Sequence, residues 1–405
     1  MNIPQGYKQT ELGIIPEDWE VKAIGSLGYT YSGLSGKKKS DFGSGNAKYI
    51  PFLNILTNTQ IDTNNLESVC VSNTEHQNNV AKGDLFFNTS SETPEEVGMC
   101  AVLSKDCPNT YLNSFCFGFR PFENNGANGI YLSYFFRGNS GRKLMSVLAQ
   151  GATRYNLSKT NLLESSIYLP PIAEQRAIAE ALSDVDALIA ALDKKIAKKR
   201  LLKQGAMQQL LTSKKRLSSF TDEWVEGYIK EYFEITAGGD VDMSRFSSVK
   251  TSRCKYPIYS NSLDEKGLYG YTSLPNYSAG CVTITGRGTL GHAEYRDEAF
   301  DAIVRLIVMT PKGNNICAQF IKELLNLAEP FIFESTGVPQ LTAPQVGSTK
   351  IKVPQKIEEQ RAIATILSDM DKEIANLEAQ RDKYRLLKSG MMQKLLTGQI
   401  RLKTK

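Results

Sequence analysis

One segment of this 405-residue chain occurs twice, and that duplication constrains the fold more than any other feature. Residues 174–217 align without a gap with residues 359–402, at an offset of 185, and roughly 26 of the 44 positions are identical. Both copies begin with Glu-Gln-Arg-Ala-Ile-Ala and later share Arg-Leu-Leu-Lys and Leu-Leu-Thr. This period is too long for a solenoid repeat and indicates two copies of a whole structural unit.

The stretches that precede the two repeated segments scarcely match each other. The only two tryptophans, Trp19 and Trp224, stand near the starts of these stretches. Runs rich in β-branched and aromatic residues, bounded by Gly, Asn and Ser, predict strands at residues 81–87, 114–119, 280–285 and 302–308, and helical patterns follow at 130–148 and 318–328. The sequence therefore predicts two mixed α/β domains, residues 1–171 and 218–353.

The repeated segments themselves predict long helices over residues 172–217 and 354–405. Apolar residues recur in steps of four and three at Ile178, Leu182, Val185, Ile189, Leu192 and Ile196, and again at Ile363, Leu367, Met370, Ile374 and Leu377. Prolines at 170, 171 and 354 mark the helix starts, where a missing N–H costs no hydrogen bond. The apolar seam breaks at Lys199 and Lys203, so we expect the pairing to loosen or to gain a third surface there.

The chain order constrains how these helices pair. The first helix leads from domain one to domain two and the second leaves domain two, so they share a seam only if they run antiparallel. The predicted fold is two mixed α/β domains separated by a long antiparallel two-helix coiled coil, with approximate two-fold symmetry inside one chain.

Charge and composition limit the functions that such a chain can have. Lys and Arg exceed Asp and Glu by 5 in residues 172–217 and by 4 in 354–405, whereas residues 1–171 and 218–353 carry net charges of −1 and −3. Nucleic-acid binding by the variable domains must therefore depend on local clusters. No stretch reaches the roughly 18 apolar residues of a membrane span, and seven cysteines without a C-x-x-C pair indicate a reduced, cytoplasmic protein.

The segment from Pro170 to Ile178, its partner from Pro354 to Ile363, and the openings that end in Trp19 and Trp224 resemble the specificity subunit of type I restriction-modification systems. The resemblance covers the whole chain in family order. It implies a non-catalytic subunit in which two target recognition domains each read one half of a bipartite site in double-stranded DNA. It also implies that the helices set the spacing and dock two adenine-methyltransferase subunits, joined by restriction and translocase subunits. No cofactor is expected in this chain, because S-adenosylmethionine, ATP and Mg would belong to those partners.

Polar loops supply the candidate DNA contacts, since Arg, Asn and Gln can pair with base edges and Lys with phosphates. The candidates are Lys37, Lys38, Lys39, Asn88, Ser90, Ser91, Arg154, Tyr155, Asn156, Tyr259, Asn261, Arg287, Thr336 and Gln340. Turn-forming, capping and solvated roles remain open for each of them. The repeated helix starts, Glu174, Gln175 and Arg176 with Glu359, Gln360 and Arg361, are the predicted methyltransferase-docking residues.

Residues 286–291 spell G-x-G-x-x-G, but a dinucleotide site needs a helix next, and residues 292–296 alternate like a strand. A β-turn that presents Arg287 and a plain hairpin turn both remain open. Enzyme chemistry finds little support, because Leu169 stands where an adenine methyltransferase needs Asn or Asp before Pro-Pro, and His76 and His292 lack metal-ligand spacing. The alternatives are a coiled-coil scaffold with two protein-binding heads and the recognition subunit of a methylation-only or type II-like system.

Overall fold

A computed structural model describes residues 3–123, 126–331 and 339–402 of the chain. They form two compact units. Unit 1 consists of residues 1–192 and 380–405, and unit 2 of residues 193–379, in each case the described ones. Each unit therefore combines one variable domain with a helical segment from each copy of the repeat.

Unit 1 is mixed α/β, as predicted. Its strands are β1 (Tyr7–Thr10), β2 (Gly13–Pro16), β3 (Glu20–Ala23), β4 (Gly28–Ser32), β5 (Phe42–Ile50), β6 (Glu67–Val69), β7 (Leu85–Asn88), β8 (Ser90–Ser91), β9 (Cys100–Val102), β10 (Thr110–Leu112), β11 (Cys116–Pro121), β12 (Ala149–Gln150), β13 (Tyr155–Leu157) and β14 (Ser166–Leu169). Its helices are α1 (Phe52–Thr57), α2 (Gly129–Arg137), α3 (Asn139–Leu148), α4 (Lys159–Glu164), the first part of α5 (Ile172–Leu210) and the last part of a second long helix, α9 (Ile357–Leu395). An antiparallel four-stranded sheet in the order β4-β11-β7-β9 forms the centre.

The core of unit 1 lies between this sheet and the helices. Phe87 and Phe117 stack with ring centroids 5.3 Å apart, and both side chains are almost completely buried. The single helix predicted over residues 130–148 is wrong, because the chain breaks at Gly138, whose N–H donates to the carbonyls of Tyr134 and Phe135. A Cβ at Gly138 would lie 2.9 Å from Leu396 Cδ1, so this close approach leaves little room for another residue.

Unit 2 is also mixed α/β. Its strands are β15 (Trp224–Tyr228), β16 (Phe233–Ala237), β17 (Phe246–Ser247), β18 (Tyr256–Tyr259), β19 (Leu268–Thr272), β20 (Cys281–Ile284), β21 (Ala293–Arg296), β22 (Asp301–Ala302), β23 (Ile307–Pro311) and β24 (Lys350–Pro354). Its helices are the last part of α5, α6 (Ile229–Tyr232), α7 (Ala318–Ala328), α8 (Ala343–Gly347) and the first part of α9 (Ile357–Leu395). The four-stranded sheet has the order β16-β23-β20-β21, so both units order their four strands as first, fourth, second and third along the chain.

Two strand predictions need correction. The run over residues 302–308 is interrupted by Val304 and Arg305, which have φ values of 56° and 60° and separate β22 from β23. Residues 81–84 form a turn in which Asp84 N donates to Ala81 O, so β7 begins only at Leu85. Helix α7 spans the predicted residues 318–328, and β20 lies within the predicted 280–285.

In each unit, a strand near the start of the domain pairs with the strand that comes just before the long helix. In unit 1, β3 pairs antiparallel with β14, and in unit 2, β15 pairs antiparallel with β24. The buried rings of Trp19 and Trp224 lie at these pairs, where Trp19 packs 5.6 Å from Tyr168 and Trp224 packs 5.8 Å from Phe320. Trp19 Nε1 also donates to Glu174 at the start of α5, and Trp224 lies opposite Pro354, three residues before α9 begins.

Most of the predicted apolar seam is buried in both helices, and Val185, Ile189 and Met370 are half-buried. Ile178 and Leu182 belong to the core of unit 1, and Ile363 and Leu367 to the core of unit 2. Where the seam breaks, ion pairs replace apolar contacts: in unit 2, Lys199 Nζ lies 2.7 Å from Glu373 and Lys203 Nζ lies 2.7 Å from Asp371. The α5 residue number rises from 199 to 203 while the number of its α9 partner falls from 373 to 371, so the two helices run antiparallel in unit 2.

Candidate nucleic-acid interface

Two polar loops that are distant in sequence meet on one face of unit 1. Leu157 N donates to Thr89 O at 2.9 Å, and β13 pairs with β8 so that Asn156 lies opposite Ser90 and Tyr155 opposite Ser91. Arg154 is exposed, and its Nε donates to Ser90 Oγ at 3.2 Å. We call Ser90, Ser91, Arg154, Tyr155 and Asn156 the unit 1 surface.

Unit 2 brings its candidate loops together through an equivalent hydrogen bond. Leu341 N donates to Gly286 O at 3.0 Å, which sets the segment before α8 beside the turn after β20. In unit 1 the corresponding bond joins the segment before α4 to the loop after β7. Arg287 and Gln340 are both exposed beside this bond, and we call them the unit 2 surface.

The glycine-rich segment after β20 is a hairpin turn. Thr285 N donates to His292 O at 3.0 Å and Gly291 N donates to Thr285 O at 2.8 Å, after which β21 pairs antiparallel with β20. Gly288 and Gly291 have φ values of 69° and 80°, which glycine adopts without steric cost. A βαβ nucleotide site is therefore absent from this segment.

A side-chain amide ties this hairpin to a second turn. Asn261 Oδ1 accepts from Gly286 N at 2.7 Å, and Asn261 Nδ2 donates to Val304 O at 2.7 Å. Val304 and Arg305 adopt left-handed backbone angles, which cost about 1–3 kcal/mol each in residues other than glycine. Exposed Arg305 was not among the predicted contacts, because it lies inside the run that predicted a continuous strand.

A family model described as "Type I restriction modification DNA specificity domain" matches residues 16–199 and 221–383. The chain belongs to this family. It is 26% identical over 429 residues to the "Putative type I restriction enzyme MjaX specificity subunit" of Methanocaldococcus jannaschii, covering 99% of this chain and 98% of the relative. It is 27% identical over 185 residues to the "Type I restriction enzyme EcoKI specificity subunit" of Escherichia coli, covering 45% of this chain and 38% of that relative.

Solved structures agree with the fold. The chain is similar to the "Type-I restriction-modification system S subunit from M. genitalium", with a TM-score of 0.65, 17% sequence identity and 98% of each chain covered. The family-model match over residues 16–199 and 221–383 confirms the resemblance inferred from the repeated helix starts, at the level of the family.

Several predicted DNA contacts in this specificity-family chain are occupied by internal interactions. Asn88 is fully buried, and its amide bonds the carbonyls of Ser90 and Glu96 and the N–H of Met99. Its prediction as a base contact is therefore wrong, because both ends of the amide are already paired. Asn261 needs the same correction: its amide joins two turns and positions them.

Lys37 and Tyr259 also make contacts within the fold. The Lys37 side chain is 6% exposed and lies 2.7 Å from Glu75 Oε1, and this hydrogen bond lowers the pKa of Glu75 to about 2. Arg296 Cζ lies 3.6 Å from the centre of the Tyr259 ring and covers one face, and burial raises the pKa of this tyrosine. The Lys37 prediction is corrected accordingly, whereas Tyr259 is half-buried and its DNA contact stays a prediction.

The remaining candidates stay predictions. Lys38 and Lys39 are exposed in the loop that follows β4, and Ser90 and Ser91 are partly exposed. Thr336 lies outside the described residues.

The predicted docking residues at the helix starts are mostly interior. Glu174 accepts two 2.7 Å hydrogen bonds from Arg401 and one of 3.2 Å from Trp19 Nε1, and the hydrogen bonds to Glu174 raise the pKa of Arg401. Glu359 accepts two 2.7 Å bonds from Arg216, the residue that corresponds to Arg401 in the other copy. Both carboxylates are buried.

The glutamine next to each of these glutamates hydrogen-bonds the backbone just before α2 or α7 and the backbone just before its own long helix. Gln175 Oε1 accepts from Asn128 N at 2.8 Å, and its Nε2 donates to Pro170 O at 2.8 Å. Gln360 repeats this arrangement with Cys317 N and Pro354 O. Direct docking through Glu174, Gln175, Glu359 and Gln360 is thus wrong, because these side chains are enclosed by their own units.

Other repeated side chains remain exposed on the same helices. Arg176 and Arg361 are exposed at the two helix starts. The shared Arg-Leu-Leu-Lys motif carries leucines that are largely exposed in both copies: Leu201 by 69%, Leu202 by 50%, Leu386 by 76% and Leu387 by 50%. Exposed apolar pairs of this kind mark interaction surfaces more often than isolated surface leucines do.

The described residues show neither a metal cluster nor a membrane span. Within residues 3–123, 126–331 and 339–402, no three or more His, Cys, Asp and Glu side chains are grouped so that they could hold a metal ion. The described helices include none with the length and apolarity that crossing a membrane requires.

Proposed function

We propose that this chain is the non-catalytic DNA-reading subunit of a type I restriction-modification complex and recognises a bipartite site. Unit 1 and unit 2 would each read one half of that site, and the paired long helices would act as an antiparallel coiled-coil spacer. The two-fold arrangement would come from the internal repeat. S-adenosylmethionine, ATP and Mg would be bound by partner subunits.

The main support for this proposal is a hydrogen bond that occurs in both units and joins the candidate loops. Leu157 N to Thr89 O in unit 1 and Leu341 N to Gly286 O in unit 2 assemble polar side chains from distant segments at equivalent positions of equivalent sheets. The residues around these bonds differ between the units, as expected if one framework carries two different base-reading surfaces. Family membership supports the same conclusion.

The duplicated helical surface supports docking of two methyltransferase subunits. Leu201 and Leu202 in unit 2 have identical counterparts, Leu386 and Leu387, in unit 1, and all four are exposed. Two copies of one apolar surface suit two copies of one partner. We propose that these leucine pairs, together with Arg176 and Arg361, contact the methyltransferase subunits, and that restriction and translocase subunits join that complex.

Exchange of one recognition domain tests the function. Residues 218–353 would be replaced by the equivalent region of a relative, and the chain would be expressed with its methyltransferase partner. Sequencing of methylated adenines in cellular DNA should then show a change in one half of the motif, with the other half and the spacer intact. A change in both halves would contradict the two-reader arrangement.

A scaffold with two protein-binding heads is the competing function. DNA affinity of the complex that falls steeply with salt supports DNA reading, since phosphate contacts release counterions. Absent or salt-independent DNA binding would support the scaffold.

A further inference from the structure

We infer that Arg305 is a base-contacting, specificity-determining residue of unit 2, held in place by Asn261. This inference rests on the proposed function and extends the unit 2 surface to a residue that sequence patterns did not indicate. It concerns one half of the recognition site only.

Three segments converge around Gly286. Asn261 Oδ1 accepts from Gly286 N at 2.7 Å, and Leu341 N donates to Gly286 O at 3.0 Å. A Cβ built on Gly286 would lie 3.3 Å from Arg305 O, which brings the turn at Arg305 against the hairpin that carries Arg287. Two exposed guanidinium side chains thus belong to one tied cluster of turns.

The turn at Arg305 is held by several hydrogen bonds. Val304 N donates to Gly239 O at 2.9 Å, Arg305 N donates to Gly238 O at 3.0 Å, and Asn261 Nδ2 donates to Val304 O at 2.7 Å. These bonds hold two successive residues in left-handed conformations that glycine would adopt without strain. Val304 is β-branched and therefore especially unsuited to this region. Strain kept in place by surrounding bonds is typical of functional sites.

The chemistry of Arg305 fits base reading better than phosphate binding. An arginine fork can donate two parallel hydrogen bonds to the O6 and N7 atoms of guanine, provided that its backbone is held in one position. The described residues offer the Arg305 side chain neither an ion pair nor a side-chain hydrogen bond, and it is exposed. A fixed backbone with an uncommitted guanidinium is the arrangement that such a contact needs.

Substitution of Arg305 by lysine separates the two roles, because lysine keeps the charge and loses the fork. The complete complex with its methyltransferase partner would methylate duplexes randomised in the half-site read by unit 2. The Arg305→Lys variant should lose preference at one or two adjacent positions by on the order of 5- to 100-fold. Rates on the other half-site should stay unchanged. Arg253→Lys is the matched control, since Arg253 is exposed at the opposite end of β18 from Asn261, and its preference should equal that of the parent.

Arg305→Gly provides a second variant that removes the side chain and relieves the left-handed strain. It should unfold at the parental temperature or above, and it should lose the same base preference. Uniform weakening on all sequences, with a salt slope reduced by about one, would mark a phosphate contact and overturn the inference. If the parental complex methylates a two-part motif and the Arg305→Lys variant keeps the same base preference, this inference is wrong and the proposed function stands. If the parental complex itself shows no sequence preference, the proposed function is wrong.

Discussion

Lys388 Nζ lies 2.7 Å from Asp186 Oδ1 within unit 1. Unit 2 contains the corresponding pair, Lys203 with Asp371, also at 2.7 Å, because the offset of 185 relates Lys203 to Lys388 and Asp186 to Asp371. Each pair joins one copy of the repeat to the other. Identical residues in the two copies are thus used to hold the helices together inside each unit.

The pair at Asp186 also anchors the domain to the helix. Tyr134 Oη donates to Asp186 Oδ2 at 2.7 Å, and Lys388 Nζ lies 5.3 Å from the centre of the Tyr134 ring. Asp186→Ala would remove the carboxylate partner of Lys388 and leave the Tyr134 phenol with only a 3.4 Å bond to Ser183 Oγ, so we expect a loss of about 1–3 kcal/mol in the free energy of unfolding. Chemical denaturation of the full chain measures it.

The control for this prediction is Asp369→Ala. Asp369 pairs with Lys372, and both side chains are more than 60% exposed, so the change should stay within about 0.5 kcal/mol. Equal effects of the two substitutions would argue against a special role of Asp186.

Adjacent residues at the first helix start should separate stability from docking. Gln175→Ala leaves Asn128 N and Pro170 O without their partner in the interior, and we expect it to lower the free energy of unfolding by about 1–3 kcal/mol. Arg176→Ala changes an exposed side chain and should leave unfolding unchanged while weakening methyltransferase binding. Denaturation and a binding titration with purified methyltransferase distinguish the two outcomes. Equal loss of binding from a folded Gln175→Ala protein would restore a docking role for the glutamine.

The exposed leucine pairs should each support one methyltransferase subunit. Serine at Leu386 and Leu387 removes apolar surface that water already reaches, so folding should be unaffected, while one of two binding events is lost. Native mass spectrometry at saturating methyltransferase should show a complex with one such subunit instead of two. Serine at Leu201 and Leu202 should give the same stoichiometry, and four serines should give none. Two bound subunits in the fourfold variant would place the docking surface elsewhere.

Local periodicity predicted that the two long helices exist, although α5 ends at Leu210 and not at residue 217, and α9 spans Ile357–Leu395 and not 354–405. It predicted the site poorly, for a physical reason. Apolar residues such as Ile178 and Leu182 recur every three or four positions because a helix must bury one face, and this spacing can be read from residues close together in the sequence. Whether a polar residue reaches DNA depends on partners far along the chain. Asn88 and Asn261 are of a residue type that can pair with base edges, but each side-chain amide is hydrogen-bonded to backbone groups that the tertiary fold brings beside it. The sequence did not indicate Arg305 for the converse reason, since its turn is held by hydrogen bonds to the carbonyls of residues 238 and 239 and from the side chain of Asn261.

The buried helix starts show the same limit. Glu-Gln-Arg occurs at both helix starts, and that duplication together with the family resemblance predicts a docking motif. Glu174 instead receives Arg401, and Glu359 receives Arg216, so the repetition reflects an internal ion pair that each unit builds with the far end of the other copy. Only the third residue of the motif is exposed.

The spacing between the two half-sites should follow the length of the helices. Four residues inserted after Leu192 in α5 and four after Ala379 in α9 fall at the boundaries of the units, so the contacts inside each unit are preserved. Four residues lengthen an α-helix by about 6 Å and rotate it by about 400°, slightly more than one full turn. At about 3.4 Å per base pair, the methylated motif should gain one or two nonspecific central base pairs while both half-sites stay the same. Two-residue insertions at the same places rotate the helices by about 200° and should abolish activity. An active four-residue variant that keeps the parental spacer would show that these helices do not set the distance.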